Sequence, residues 1–242
     1  MPQSPSHPAP LPVQSARSVA WTVHPGLIGY EEAVAAMEAR VLAIAEGAAC
    51  ELIWLVEHPA LYTAGTSAKL KDLVEPGCLP VHWTGRGGQF TYHGPGQRVV
   101  YVMLDVRTRF GNDIHLFTRS LENWMIGALN RLGVTASTIE GRTGVWVRAS
   151  DPEETGEPFA KIAAIGLRIR RGISFHGVAL NIDPDLAHYR GIVPCGLIGS
   201  RATSLAALGH PATAGSADAA LKLSFANLFG VRIVDDETPA RV

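Results

Sequence analysis

The chain has 242 residues, of which 47% are hydrophobic and 18% are charged, and its formal net charge is -1. This is the composition of a folded globular protein, and the length suits one large domain or at most two. With this net charge the chain has no excess of basic residues that would attract a phosphate backbone. We therefore expect no nucleic-acid partner. No stretch reaches the roughly 20 apolar residues that span a bilayer, so we expect no membrane association.

The first 17 residues carry prolines at positions 2, 5, 8, 10 and 12 and lack the apolar stretch of a secretory signal. We interpret residues 1–17 as a disordered proline-rich tail and residues 18–242 as a single domain. The cysteines, Cys50, Cys78 and Cys195, form no C-x-x-C pair, which argues against a zinc ribbon. Their odd number, without a signal peptide, suits a reducing compartment, so we expect a cytoplasmic protein.

The first half of the predicted domain is dominated by strands. Residues 18–24 alternate like a half-buried strand, and apolar residues at helical spacing predict a helix over 30–46. Short apolar runs predict strands at 51–57, 81–84 and 98–106, the last two on either side of a glycine-rich segment.

The second half combines helices with a hairpin. Asp113 is placed to cap a helix that ends near Leu132. The elements predicted after it are a strand at 144–148, an acidic loop at 151–158, a β-hairpin with strands 161–169 and 173–181, a loop at 191–199, a helix at 216–229 and a strand at 231–234. Consecutive strands outnumber βαβ units, which favours an α+β fold over a doubly wound sheet.

The densest chemical signal is TGRGGQFTYHGPGQ, residues 84–97, in which five glycines stand among polar side chains. Glycine allows close backbone approach and positive φ, and an ordinary turn needs only one or two glycines. We interpret the segment as a loop, a strand and a second loop around a ligand, with a structural bulge as the alternative. Neither G-x-x-x-x-G-K-[ST] nor G-x-G-x-x-G is present, so it is not a nucleotide loop of the usual kinds.

The hairpin segment, AKIAAIGLRIRRGISFHGVALN (160–181), opens with Lys161 on an apolar strand. This lysine either faces water or is partly buried, and burial would lower its pKa and suit it to proton transfer. Small residues on both strands either leave room for a slender ligand or serve tight sheet packing. Arg168, Arg170 and Arg171 form either a basic patch suited to an acidic carrier protein or an ordinary solvated turn.

Cys195 lies between Pro194 and Gly196 in a loop. The proline fixes the chain before the cysteine and the glycine allows close approach after it, which favours a presented nucleophile over a packed thiol. A free thiol has a pKa of about 8.5 and needs a nearby cation or base to ionise. From the residues alone, Lys161, His93 and His176 are equally good candidates for that partner.

Together these segments resemble the lipoyl(octanoyl) transferase family. The matching pieces are RGGQFTYHGPGQ (86–97), KIAAIGLRIRRGISFHGVALN (161–181) and PCG (194–196), supported by EHPALYTAG (57–65) and by Phe225 of the closing helix. The resemblance covers roughly residues 20–235. It implies the fold of the biotin and lipoate protein ligase catalytic domain, in which helices flank a mixed β-sheet core.

The resemblance also implies an activity. Cys195 would take an octanoyl group from octanoyl-acyl carrier protein as a thioester and pass it to a lysine of a lipoyl domain, the first step of protein lipoylation. The acceptors would be lipoyl domains of 2-oxoacid dehydrogenase complexes and the glycine cleavage H protein. Lys161, rather than either histidine, would transfer the protons, and no cofactor or metal is expected. The implied substrate-binding residues are Arg86, Gly87, Gly88, Gln89, Phe90, Thr91, Tyr92, His93, Ala164, Ile165, Gly166, Gly177, Val178 and Ala179.

Three other functions fit parts of the same pattern. An ATP-dependent lipoate or biotin protein ligase of this fold would need phosphate-binding glycines and no nucleophilic cysteine. A cysteine thioesterase would release octanoate to water. A non-catalytic binder of lipoyl domains would tolerate the loss of Cys195.

Overall fold

The computed structural model describes residues 18–149, 158–193 and 201–236. The helices are α1 (Tyr30–Ala45), α2 (Val106–Phe110), α3 (Ile114–Arg131) and α4 (Ala214–Phe229). The strands are β1 (Ser18–Leu27), β2 (Leu52–Glu57), β3 (Leu61–Ala64), β4 (Val81–Trp83), β5 (Phe90–His93), β6 (Gln97–Met103), β7 (Ser137–Ile139), β8 (Arg142–Arg148), β9 (Phe159–Arg170), β10 (Ile173–Asn181), β11 (Arg201–Ala202) and β12 (Arg232–Asp235).

Within these ranges, nine strands form a large mixed sheet. Its order is β12-β1-β2-β6-β10-β9-β8-β7, and β11 pairs with β9 outside this path. Strand β1 is parallel to both its neighbours, whereas β10 is antiparallel to both β6 and β9. A smaller sheet has the order β4-β3-β5. Helices flanking a mixed sheet confirm the predicted α+β class.

Different helices cover the two faces of the large sheet, because alternate residues of its central strands point to opposite faces. On β2, Ile53 and Leu55 join an apolar cluster that contains residues of α3 and α4. Leu52, Trp54 and Val56 join a second cluster with α1. Burial on both faces explains why this strand is a continuous apolar run in the sequence.

Most predicted elements agree with the structure to within a few residues, but one predicted strand is too long and several elements were not predicted. The strand predicted over 98–106 ends at Met103. The Asp105 carboxylate accepts a hydrogen bond from the Thr108 amide at 2.8 Å and so caps the start of α2. Strands β3, β7 and β11 and helix α2 were not predicted. The predicted cap is confirmed, since Asp113 accepts the Leu116 amide at 2.8 Å.

Some predictions concern residues outside the described ranges. These are the predicted tail 1–17, nearly all of the acidic loop 151–158 and most of the loop 191–199. Among the helices that are described, none combines the length and the apolar character needed to span a membrane.

Candidate active site

A cavity of about 320 Å³ lies between the large sheet and the glycine-rich segment. Strands β6, β9 and β10 supply one wall, and the chain from Arg86 to His93 supplies another. The described residues that line it are Tyr30, Ser67, Arg86, Gly88, Gln89, Phe90, Thr91, His93, Val99, Tyr101, Gly141, Arg142, Thr143, Lys161, Ala164, Ile165, Gly166, His176, Gly177, Val178 and Ala179. The volume lies near the lower end of the roughly 300–1,000 Å³ range of small-molecule pockets.

The glycine-rich wall is held in place by the buried side chain of Arg86. Its Nη2 donates to the Thr63 carbonyl at 2.8 Å, to Thr63 Oγ1 at 2.7 Å and to the Gln89 carbonyl at 2.9 Å. At Gly65, a Cβ atom would collide with the Gly88 carbonyl, so only glycine allows this close approach. The arginine therefore ties strand β3 to the segment that follows it.

The opposite wall is made of small residues on β9 and β10. Ala164 pairs with Ala179 and Gly166 pairs with Gly177 across the two strands. A Cβ atom at Gly177 would collide with the Val100 carbonyl, so this glycine lets β10 lie close to β6. The wall therefore leaves a narrow space that a slender ligand can occupy.

Three histidines lie in or beside the cavity in uncharged form. Burial lowers the pKa of His58 to about 4 and the pKa values of His93 and His176 to about 3. His58 Nε2 lies 2.6 Å from the Tyr101 hydroxyl, and His93 Nδ1 lies 2.6 Å from Gln97 Oε1. Burial also raises the pKa of Tyr101 well above its usual range. These side chains are therefore uncharged at physiological pH, and the charged Arg86 guanidinium near them also lowers the pKa values of His93 and His176.

Lys161 supplies a cationic group to the cavity wall. Its Nζ donates to the Thr143 carbonyl at 2.9 Å and lies 4.6 Å from the centre of the Trp146 ring. The carbonyl and the aromatic face both stabilise an ammonium group at this place. The amine is thus held at the wall by two features of β8.

Cys195 lies outside the described residues. The described chain resumes at Arg201 in β11, where Ala202 pairs with Lys161 in parallel register. The Thr203 amide then donates to the Lys161 carbonyl at 2.9 Å. Residues that follow Cys195 in the sequence, from Arg201 to Thr203, are therefore hydrogen-bonded to β9 at Lys161.

The structure brings Lys161 and nearly all the predicted substrate-binding residues to this cavity, but two of them lie behind its wall. The Gly87 amide donates to the Leu167 carbonyl at 2.8 Å and so fastens the glycine-rich segment to β9. Tyr92 packs against Tyr62 and Tyr189 in the core of the small sheet. Their contribution to the cavity is support for its wall.

Sequence reasoning missed several lining residues. These are Tyr30, Ser67, Val99, Tyr101, Gly141, Arg142 and Thr143, and His176 was considered only as a base. No local motif marks them, because they come from a helix start, strand interiors and turns that only the fold brings together. Arginines at the hairpin turn are partly neutralised, since Arg170 pairs with Glu38 at 3.2 Å and Arg171 with Glu46 at 3.6 Å.

Comparisons with known proteins agree on one family. Residues 29–226 match the model of the lipoyl protein ligase A/B catalytic domain. The chain is 56% identical over 215 residues to the octanoyltransferase of Maricaulis maris, covering 88% of this chain and 92% of that protein. It is 54% identical over 224 residues to the octanoyltransferase of Caulobacter vibrioides, covering 93% and 97%.

Solved structures with a similar fold include lipoate protein ligases. A bipartite lipoate protein ligase from Thermoplasma acidophilum matches with a TM-score of 0.66 at 15% identity, covering 93% of this chain and 88% of that chain. A lipoate-protein ligase A bound with ATP matches with a TM-score of 0.64 at 15% identity, covering 93% and 90%. At this identity the likeness is one of fold.

Proposed function

Since this chain belongs to the lipoyl protein ligase A/B catalytic domain family, we propose that it is an octanoyltransferase, the activity named for its curated relatives. Its donor is octanoyl-acyl carrier protein. Its acceptor is a lysine of a lipoyl domain, in 2-oxoacid dehydrogenase complexes or in the glycine cleavage H protein. Cys50 and Cys78 are exposed free thiols, which suits a reaction in the reducing cytoplasm.

The observation that carries this proposal is a narrow cavity with a lysine amine at its wall. Small residues on β9 and β10 leave room for an alkyl chain, and each methylene buried there contributes about 0.8 kcal/mol. The depth of the cavity therefore determines which acyl chain length binds best. The polar residues of the glycine-rich segment, such as Gln89 and Thr91, supply groups that orient the carbonyl end.

In the first half-reaction, the Cys195 thiolate attacks the thioester carbonyl of the donor. A new carbon–sulfur bond forms, the old one breaks, and the thiol of the carrier protein leaves with a proton. Lys161 stabilises the thiolate and transfers that proton, because a cation beside a thiol lowers its pKa. The position of β11 supports this role, since it follows Cys195 by 201 - 195 = 6 residues and pairs with Lys161.

In the second half-reaction, the neutral amine of the acceptor lysine attacks the enzyme thioester. A carbon–nitrogen bond forms, the bond to Cys195 breaks, and the proton lost by the amine returns to the sulfur through Lys161. Exchange between thioesters is nearly isoenergetic and the step to an amide is downhill. The reaction therefore needs no nucleotide to drive it.

The second candidate is an ATP-dependent ligase, which the fold likeness to lipoate protein ligases favours. One experiment distinguishes the two activities. The protein is incubated with octanoyl-acyl carrier protein and a lipoyl domain without ATP, and the mass of the lipoyl domain is measured by mass spectrometry. We expect one octanoyl group per domain, and none when its acceptor lysine is replaced by arginine. Modification that requires ATP and free octanoate would identify a ligase, and octanoate released without acceptor modification would identify a thioesterase.

A further inference from the structure

Strand β8 is irregular at Gly144, beside Lys161. Its pairing with β7 shifts between Ser137 and Ile139, and its pairing with β9 shifts between Val145 and Trp146. Gly144 has a φ of 120°, a conformation that favours glycine. A Cβ atom there would lie 2.7 Å from the Ala163 carbonyl oxygen and 3.2 Å from Lys161 Cε. The backbone at Gly144 therefore packs against the lysine side chain.

Helix α3 provides a carboxylate for this irregular point. The Gly144 amide donates to Glu122 Oε1 at 2.9 Å, and Glu122 is only 7% exposed. A carboxylate is costly to bury unless it is hydrogen-bonded or paired with a charge. The pKa of Glu122 is raised overall, because the effect of burial exceeds that of the Gly144 amide, Lys161 and Arg119, which act in the opposite direction. Glu122 thus lies within electrostatic reach of Lys161 without lining the cavity.

One peptide group connects the two side chains. The Gly144 N–H donates to Glu122, and the Thr143 carbonyl accepts from Lys161 Nζ. These two groups are the two ends of the same peptide, which joins Thr143 to Gly144. Because a peptide is planar and rigid, fixing its N–H end also fixes the direction of its C=O end. Hydrogen bonds at both ends also polarise the group and strengthen each other.

We propose that Glu122 is a positioning residue for Lys161, acting through the peptide that joins Thr143 to Gly144. The inference rests on the proposed role of Lys161 in acyl transfer and adds a residue that neither the sequence motifs nor the cavity contains. Without the carboxylate, the peptide at the strand irregularity loses the hydrogen bond that fixes its orientation. The lysine amine then loses the Thr143 carbonyl as a fixed acceptor.

Two substitutions separate hydrogen bonding from charge. Glu122→Gln keeps an oxygen that can accept the hydrogen bond from the Gly144 amide, and it removes the charge. Glu122→Asp keeps the charge but is one methylene too short to reach the Gly144 amide. Single-turnover octanoylation of the enzyme by octanoyl-acyl carrier protein is measured for both. We expect the Asp variant to slow the acylation step about 10- to 100-fold, the range for a displaced catalytic group, and the Gln variant to stay within about threefold of wild type.

The dependence on donor concentration provides a second readout. Because Glu122 does not line the cavity, we expect the Asp variant to lower kcat with little change in KM. Glu51→Asp is the control, since Glu51 is also 7% exposed and accepts a hydrogen bond from the Asp105 amide at 2.8 Å, but it pairs with Arg109 and does not line the cavity. We expect this control to acylate at the wild-type rate.

The proposal is overturned if Glu122→Asp acylates normally, or if Glu122→Gln is as slow as Glu122→Asp, which would assign the effect to charge. Lys161→Ala is measured beside them: a normal rate there means that the proposed role of Lys161 has failed, independently of Glu122. Thermal melting identifies a folding defect. If Glu122→Asp has a lowered melting temperature, the double variant Glu122→Asp/Lys161→Ala is compared with Lys161→Ala alone. If Glu122 acts by positioning Lys161, the double variant acylates as fast as Lys161→Ala. If Glu122→Asp impairs folding, the double variant is slower by the full factor that Glu122→Asp shows alone.

Discussion

Arg86 supports the cavity wall through a buried guanidinium group that donates to main-chain and side-chain oxygens of two segments. Its Nε and Nη2 both reach Thr63 Oγ1, and Nη1 donates to the Gly87 carbonyl at 3.0 Å. A planar group with five donors can satisfy these acceptors at once, whereas an ammonium group cannot. The residue is therefore placed to stabilise the fold and to shape the site.

We predict that Arg86→Lys lowers the free energy of unfolding by about 2–4 kcal/mol, because buried carbonyls lose their charged donor. Chemical denaturation measures this loss. Arg170→Lys is the matched control, since Arg170 is exposed and pairs with Glu38 on the surface, and we expect a change of about 0.5 kcal/mol or less. Equal effects at the two positions would contradict the bracing role of Arg86.

At the scale of single residues, much of the site could be predicted from the sequence. The glycines around Arg86 and the lone Lys161 on an apolar strand were visible as local anomalies, and the structure brings both to one cavity. Tyr30 and Tyr101 could not be found in this way. An aromatic residue at a helix start or inside a buried strand looks like core until the fold is known.

At the scale of elements, the β9–β10 hairpin determines how much space the ligand has. Ala164 and Ala179 face each other across the hairpin and both line the cavity. A larger side chain at Ala164 would enter the cavity rather than the closely packed core, because Ala164 is only partly buried.

We predict that Ala164→Leu slows acylation by octanoyl-acyl carrier protein at least tenfold, because the added carbons occupy the space for the acyl chain. The variant should recover activity with a shorter acyl donor such as butanoyl-acyl carrier protein. Ala207→Leu, at an exposed alanine outside the cavity, is the control and should behave as wild type. If Ala164→Leu still prefers the octanoyl donor, the acyl chain lies elsewhere.

The hairpin was predictable because its two apolar strands flank a short turn with glycine. Strand β3 was not, since its four residues are too few to show a period and it is preceded by proline. Helix α2 was not predicted, and only its first residue, Val106, was included in the strand predicted over 98–106, because it continues the apolar run of β6 in the sequence. The cap at Asp105, a local contact with the Thr108 amide three residues later, separates them.

At the scale of the whole molecule, three buried neutral histidines link stability to pH. His58, His93 and His176 have pKa values lowered from 6.5 to about 4, 3 and 3. Between these values and 6.5 the unfolded chain binds protons that the folded chain does not, so stability falls as the pH falls. Each histidine contributes a slope of about 1.4 kcal/mol per pH unit within this window.

We predict that the free energy of unfolding is nearly independent of pH between about pH 7 and pH 9 and decreases steeply from about pH 6 to pH 5. His93→Gln should reduce that slope by about 1.4 kcal/mol per pH unit. His115→Gln, at an exposed position on α3, is the control and should leave the slope unchanged. A slope that His93→Gln leaves intact would show that His93 is not buried neutral.

The central claim is that Cys195 carries the octanoyl group, and intact-protein mass spectrometry tests it most directly. The protein is mixed with octanoyl-acyl carrier protein without ATP, and wild type is compared with Cys195→Ala and with Cys78→Ala, which removes an exposed cysteine. We predict one hydroxylamine-labile octanoyl adduct on wild type and on Cys78→Ala, and none on Cys195→Ala. An adduct that persists in Cys195→Ala, or a wild type that is modified only with ATP, would contradict the account.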